Sequence, residues 1–180
     1  MNRPYYPWEK GWEHAIDPVR ALPILKEVTD EYEKRGITWF LIFGSLLGAV
    51  RDGGPIPGDD DIDICVLQKD RAKIKEANTY LRTLGYWIPE KEDGMVERDE
   101  VYIKDGQKIE ACVFHNEGDY YRYDPCQPNI RYEKKYFEVL TKVDFGGIVS
   151  YIPVHNIELL ELMYGPKWKI PIPGYACHQF

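Results

Sequence analysis

The sequence predicts an α+β fold in which helices flank a mixed β-sheet. In the first half of the chain, segments with helical periodicity alternate with short apolar runs typical of buried strands. In the second half, two pairs of β-prone runs are each joined by a glycine-containing turn, and one amphipathic helix follows. The chain has 180 residues and neither a repeat nor a low-complexity tract, so we expect one domain over residues 1–180.

The first helix is predicted over residues 18–35. Asp17 is a favourable N-cap, and Pro18 takes the first helical position, where its missing N–H is tolerated. Gly36 ends the helix, and Pro23 is expected to make its beginning irregular. We expect this helix to cover the sheet.

A strand, a turn and a short helix are predicted next. Residues 37–43 are apolar on both alternating faces, which is typical of a strand buried on both sides. Gly44 and Ser45 turn the chain into the helix, with Ser45 as its cap. The N–H groups of the first turn offer an anion site, and Arg51 would add a fork of donors for phosphate oxygens. Gly44, Ser45 and Arg51 are therefore our candidate phosphate-binding residues.

Three aspartates define the second predicted strand, which follows the turn-rich residues 52–58. Asp59, Asp61 and Asp63 alternate along it and should share one face, while the intervening isoleucines enter the core. Carboxylates at this spacing lie roughly 6–7 Å apart at their Cα atoms, close enough to converge on one or two divalent ions. Oxygen-only ligands suit Mg²⁺, with Mn²⁺ as the alternative. Without a cation, three like charges on one face would repel one another.

Each part of this pattern also has an ordinary interpretation. A Gly-Ser pair after a strand is usually a simple turn, and an aspartate cluster beside glycine and proline is usually a solvated loop. Arg51 by itself would be a surface residue. It is their combination, in this order along a strand-turn-helix-loop-strand path, that favours a metal-dependent phosphate-transfer site.

The remaining chain is assigned from periodicity and turn chemistry. Asp105-Gly106 lies between two β-prone runs, a strong hairpin signal that sets Val101 opposite Glu110. The four cysteines lack a paired-ligand spacing and are expected to be free buried thiols rather than zinc ligands. The later predicted elements are helices over 69–84 and 156–164, hairpins over 101–114 and 139–152, and a long tyrosine-rich loop over 116–130.

These residues carry a family resemblance. The run GSLLGAVRDGGPIPGDDDIDI resembles the LicD and fukutin family of phospho-alcohol transferases, part of the nucleotidyltransferase superfamily that includes DNA polymerase beta. The similarity covers roughly residues 17–173, is weakest over 67–136, and is greatest to fukutin and fukutin-related protein in the closing helix IELLELMYGPKWKIPI. The resemblance implies a DNA polymerase beta-like nucleotidyltransferase fold.

The resemblance also implies a reaction. Members of this family move a phosphorylated alcohol, such as phosphocholine or ribitol phosphate, from a CDP-linked donor to a hydroxyl of a glycan or glycolipid acceptor, releasing CMP. Asp59, Asp61 and Asp63 match the family's motif positions and would hold the metal. Gly58 departs from the pattern, because the residue before the acidic run is usually tryptophan.

A third carboxylate on a neighbouring strand is expected from the same resemblance, as a metal ligand or as the acceptor of the hydroxyl proton. Glu110 is our candidate, since the hairpin places it mid-strand among apolar neighbours, where an unpaired charge is costly. Its family counterpart is typically aspartate, and the alternative is an exposed glutamate on a solvated face. Nearby acidic residues are expected to be surface charges: Glu97, Asp99 and Glu100.

Charge and hydropathy limit the partners. The net charge of −7 argues against nucleic acid, whose binding depends on clustered lysine and arginine. No apolar stretch approaches the roughly 20 residues that span a bilayer, so a cytoplasmic protein is expected. The alternative that the family resemblance implies is a piece of a longer enzyme with an N-terminal membrane anchor. Two rival functions stay open: a nucleotidyltransferase that joins a nucleoside monophosphate to a small acceptor, and a non-catalytic nucleotide-binding module.

Overall fold

The computed structural model describes residues 15–89, 99–123 and 130–171. Its helices are α1 (Pro18–Lys34), α2 (Phe43–Arg51), α3 (Arg71–Thr83), α4 (Lys135–Glu138) and α5 (Asn156–Tyr164), with a short 3-10 turn at Gln68–Asp70. Its strands are β1 (Trp39–Leu41), β2 (Ile62–Leu67), β3 (Glu100–Lys104), β4 (Gln107–Glu117), β5 (Tyr120–Arg122), β6 (Arg131–Glu133), β7 (Leu140–Phe145) and β8 (Ile148–Pro153).

The main sheet is mixed, as predicted. β2 lies between β1, which is antiparallel to it, and β4, which is parallel to it. The long strand β4 also pairs antiparallel with β3 near its beginning and with β5 near its end, and β6 continues from β5. β7 and β8 form a separate hairpin, joined to the main sheet by an edge-to-face contact between the Trp39 and Tyr151 rings, whose centroids are 5.4 Å apart.

The local signals around α1 and α3 are confirmed. The Asp17 side chain accepts a hydrogen bond from the Val19 N–H at 3.0 Å, and α1 continues through Pro23 to Lys34. Gly36 then has a φ of +63°, which lets the chain leave the helix and enter β1. α3 begins two residues later than predicted and buries the expected apolar stripe: Ile74, Ala77 and Leu81.

The hairpin over residues 101–114 has the predicted register. Val101 lies opposite Glu110, and Lys104 opposite Gln107. Asp105 and Gly106 both have positive φ angles, +50° and +77°, as a two-residue hairpin turn requires. The second hairpin is displaced by one residue, because its turn is Gly146-Gly147, and α5 has the predicted bounds.

The predicted loop over residues 116–130 is partly wrong. β4 runs on to Glu117, and a turn at Gly118, whose φ is +66°, returns the chain through β5. β5 and β6 have only three residues each, too few for an alternating pattern to be recognised in this tyrosine-rich segment. Residues 124–129, including Cys126, lie outside the described residues, as does Cys177, while Cys65 and Cys112 are free and buried as predicted.

A cluster of aromatic rings joins the start of α2 to β4 and the strands beyond it. Phe114 is fully buried, and its ring lies 6.1 Å from Phe43, 5.0 Å from Tyr123, 5.3 Å from Tyr132 and 5.3 Å from Phe137, measured between centroids. Such contacts combine large apolar burial with specific ring geometry. The first turn of α2 is therefore held firmly against β4.

None of the helices in the described ranges combines the length and the apolar character needed to cross a membrane.

Candidate functional site

Parallel pairing of β2 and β4 brings two of the predicted carboxylates together. Asp63 is the second residue of β2, and its partner in the register is Glu110 on β4. Asp61 lies beside them, and each of the three offers an oxygen within 4.8 Å of the others. Asp59, Asp60 and Asp61 form a second such group, so Asp61 is shared by both.

The prediction that Asp59, Asp61 and Asp63 alternate on one strand is wrong for the first two. β2 begins at Ile62, where its pairing with Ile109 of β4 begins, so Asp59 and Asp61 precede the ladder. The backbone carbonyl of Asp59 is instead held by the Ile16 N–H at 2.8 Å, just before α1. This lead-in, rather than strand alternation, places the two carboxylates beside Asp63.

Ser45 does not cap α2 as predicted. The helix begins two residues earlier, at Phe43, whose φ is +46°, and Ile42 takes the cap position without a side-chain hydrogen bond. Ser45 is buried in the first turn, and its hydroxyl oxygen accepts a hydrogen bond from the Asp63 N–H at 2.8 Å. The residue therefore ties α2 to the strand that carries Asp63.

Gly44 leaves room for the carboxylates. A Cβ atom at this position would lie 2.8 Å from Oδ2 of Asp59 and 4.0 Å from Oδ2 of Asp63. The backbone of the first helical turn thus faces the acidic cluster directly. Gly58, where the family resemblance implies tryptophan, has a φ of +86°, which glycine adopts without strain, and a Cβ atom there would meet nothing within 4 Å.

Arg51 lies in the last turn of α2 and forms an ion pair with its neighbour Asp52, at 2.7 Å between Nη2 and Oδ2. None of the contacts described for Arg51 joins it to the acidic cluster of Asp59, Asp60, Asp61, Asp63 and Glu110. Its role in phosphate binding stays a prediction.

Burial makes the acidic cluster costly to ionise. It raises the pKa of Asp59 to about 6, with the Asp61 charge adding to the effect. Burial likewise raises the pKa of Asp61 to about 6, against the opposing effect of Lys108. The pKa values of Asp63 and Glu110 are also raised, again chiefly by burial. Such a cluster is stabilised by any cation that enters it.

The sequence analysis did not identify Lys108, whose ammonium is a positive charge already present among the carboxylates. Lys108 lies on β4 and is buried, with its Nζ atom 2.5 Å from Oδ2 of Asp61 and 2.9 Å from Oε2 of Glu110. Burial acts to lower its pKa, but Glu110 and Asp61 raise it above its usual value. The spacing of two between Lys108 and Glu110 on a predicted strand was the available signal, because it places both on one face.

Asp99 and Glu100 were expected to be surface charges, but both form hydrogen bonds or ion pairs with buried or half-buried groups. Asp99 accepts hydrogen bonds from the Val113 N–H at 2.9 Å and the Tyr123 hydroxyl at 2.7 Å, and it adds to the raised pKa of Glu110. Glu100 is buried and paired with Arg71 at 3.3 Å. Glu97 lies outside the described residues. An acidic side chain that faces inward must find donors, which only the fold supplies.

Comparisons with known proteins identify the family to which this chain belongs. Residues 36–155 match the family described as LicD/FKTN/FKRP, nucleotidyltransferase domain. The uncharacterized protein RT0683 of Rickettsia typhi is 30% identical over 174 residues, which is 93% of this chain and 53% of that protein. Human ribitol 5-phosphate transferase FKRP is 25% identical over 177 residues, which is 92% of this chain and 35% of that protein. This chain therefore spans only part of either relative.

A solved structure supports the fold. The solution structure of the antibiotic-resistance factor ANT(2'')-Ia has a TM-score of 0.55 to this chain at 12% sequence identity, covering 90% of this chain and 80% of the other. Together with the family match, it confirms the predicted nucleotidyltransferase fold with a mixed sheet and flanking helices.

Proposed function

Because the chain belongs to the LicD/FKTN/FKRP nucleotidyltransferase-domain family, we propose that it is a transferase of phosphorylated alcohols. The donor is a CDP-linked alcohol, such as CDP-ribitol or CDP-choline, and the acceptor is a hydroxyl of a glycan or glycolipid. Residues 1–180 act as one catalytic domain. The observation that carries the proposal is the convergence of Asp61, Asp63 and Glu110 opposite the backbone of Gly44.

The cluster fits a divalent ion. Magnesium binds oxygens at about 2.0–2.1 Å, so ligands on opposite sides of it lie about 4 Å apart. The oxygens of Asp61, Asp63 and Glu110 already lie within 4.8 Å of one another and need only a small contraction. Asp59 adds an oxygen from the lead-in. Bound Mg²⁺, or Mn²⁺ in its place, would offset charge on the donor diphosphate and on the leaving CMP.

The chain's own residues orient the reaction. The N–H groups at Gly44 and Ser45 face the site at the start of α2, where a helix attracts phosphate, and Arg51 reaches the phosphates after leaving Asp52. Glu110 accepts the proton of the attacking hydroxyl. A bond then forms between that oxygen and the phosphorus of the alcohol phosphate, and the phosphorus–oxygen bond to CMP breaks. The product is a phosphodiester.

Calorimetric binding of CDP, ADP, GDP and UDP, with and without Mg²⁺, tests this function. Wild type should prefer CDP in a Mg²⁺-dependent way, and Asp63→Asn should lose that dependence. Asp119→Asn, which removes the same charge from an exposed turn, is the matched control and should bind like wild type. CMP release from CDP-ribitol and CDP-choline then identifies the donor.

Two results would redirect the assignment. Preference for another nucleotide would favour a nucleotidyltransferase acting on a small acceptor. Absence of nucleotide binding under every condition would favour a non-catalytic module.

A further inference from the structure

Lys108 places a positive charge on the oxygens that the metal requires. Its ammonium contacts Asp61 at 2.5 Å and Glu110 at 2.9 Å, and both partners belong to the group of three carboxylates assigned to the ion. The lysine side chain is only 10% exposed, and those of Asp61 and Glu110 are 15% and 22% exposed. Solvent therefore screens these contacts weakly.

An ammonium and a divalent ion cannot share this position. The ion would lie about 2 Å from each carboxylate oxygen, and two positive charges at such short range repel strongly in a partly buried site. Entry of the ion therefore requires Lys108 to leave at least one of its two carboxylates. A lysine side chain has a long flexible stem, so its ammonium can move while its backbone stays in β4.

A displaced ammonium needs another anion. The diphosphate of the donor is the anion that the proposed reaction brings to this place, next to the first turn of α2. A protein that receives the ion alone must separate the ammonium from Asp61 or Glu110 before a diphosphate is present to take the place of that carboxylate. A protein that receives the ion together with the diphosphate exchanges one set of ion pairs for another.

We propose that Lys108 occupies the cation position in the donor-free protein and transfers to the donor diphosphate when the ion enters, so that ion and donor load together. This inference rests on the proposed function and adds an order of binding to it. Lys108 is thereby a positioning residue in the free protein and a phosphate contact in the loaded one.

Calorimetric titration with Mn²⁺ alone tests whether Lys108 competes with the ion for the carboxylates. Lys108→Met should bind Mn²⁺ about tenfold or more tightly than wild type, because the competing charge is gone. Lys108→Arg keeps the charge and should bind about as weakly as wild type. Lys104→Met is the matched control: Lys104 also forms a half-buried ion pair, with Glu27 at 2.7 Å, but on β3 and outside the cluster, so its loss should leave Mn²⁺ binding unchanged.

The same titration with CDP present tests whether the Lys108 ammonium then contacts the diphosphate. In wild type, CDP should tighten Mn²⁺ binding strongly, and in Lys108→Met this tightening should be about tenfold smaller, because the ammonium no longer contacts the diphosphate. Thermal unfolding in EDTA establishes that each variant is folded, and Lys108→Gln replaces Lys108→Met if the latter is not.

The outcomes separate the inference from the function it rests on. If Lys108→Met binds Mn²⁺ no more tightly than wild type while Asp63→Asn loses binding, the metal site stands and the role of Lys108 is overturned. If wild type fails to bind Mn²⁺ both with and without CDP, the metal-dependent function is overturned, and the inference with it.

Discussion

Replacing Gly44 with alanine is expected to weaken binding of the ion and the donor while leaving the fold intact. Gly44 does not have a positive φ, so alanine fits the backbone of α2. The new methyl group would lie 2.8 Å from Oδ2 of Asp59, whereas an ordinary contact begins at 3.4 Å. The carboxylate must therefore move by about 0.6 Å, the difference between these two distances.

The expected magnitudes follow from what has to move. In a helix alanine is favoured over glycine by up to about 1 kcal/mol, and this preference offsets part of the cost of turning a flexible carboxylate aside. The free energy of unfolding should therefore change by less than about 1 kcal/mol. Disturbing a residue that supports a metal site costs roughly 10–100-fold in metal affinity, so turning the Asp59 carboxylate aside should weaken Mn²⁺ or donor binding about tenfold.

Gly48 provides the matched control, because it lies one turn later in the same helix. A methyl group there would overlap the backbone carbonyl of Gly54, which cannot turn aside as a side chain can. Gly48→Ala should lose about 1–3 kcal/mol of stability. Urea unfolding and Mn²⁺ titration of both variants separate the two effects. Wild-type binding of Mn²⁺ and CDP by Gly44→Ala, or unfolding of this variant as easily as Gly48→Ala, would refute the role assigned to Gly44.

Two further predictions concern the ionisation and the support of the cluster. Asp59 and Asp61 have pKa values of about 6 in the folded protein against an ordinary value of 3.8, so the folded state binds protons more tightly than the unfolded state does. The free energy of unfolding of the ion-free protein should therefore fall as the pH rises from about 4 to 6. Stabilisation by Mg²⁺ in thermal unfolding should therefore be larger at pH 7 than at pH 4.5, and equal stabilisation at both would contradict this. Ser45→Ala leaves the half-buried N–H of Asp63 without its acceptor and should cost about 1–3 kcal/mol in urea unfolding. The control Ser150→Ala removes a buried hydroxyl that has no partner among the described residues, and an equal loss there would show that Ser45 has no special role.

The elements predicted correctly are those whose signals are local. Asp17 and Pro18 determine the start of α1 because the cap and the first helical position are adjacent. Asp105 and Gly106 determine the register of their hairpin because a two-residue turn permits few alternatives. Glu110 was placed on its strand by the same turn.

The errors arise where distant chain segments decide the structure. Alternation predicted a strand from Asp59 onwards, but β2 begins only where β4 pairs with it, and no local signal reports that position. Ser45 resembled a cap because the sequence does not reveal that Phe43 adopts a positive φ and starts the helix. The contact between Lys108 and Asp61 likewise depends on the parallel pairing of β2 with β4.

The position of the cluster at the beginning of β2 explains how the fold tolerates it. Ile62, Ile64 and Val66 are fully buried, so the strand that carries Asp63 is anchored by apolar contacts on both sides of the carboxylate. The two overlapping groups contain five half-buried carboxylates, and the Lys108 ammonium contacts two of them, Asp61 and Glu110. The excess of negative charge lowers the stability of the ion-free protein. A purely structural site would gain stability by replacing one carboxylate with an amide. Retaining all of them makes physical sense where a divalent ion and a phosphorylated donor complete the charge balance, and this links the cost of the cluster to the proposed transfer reaction.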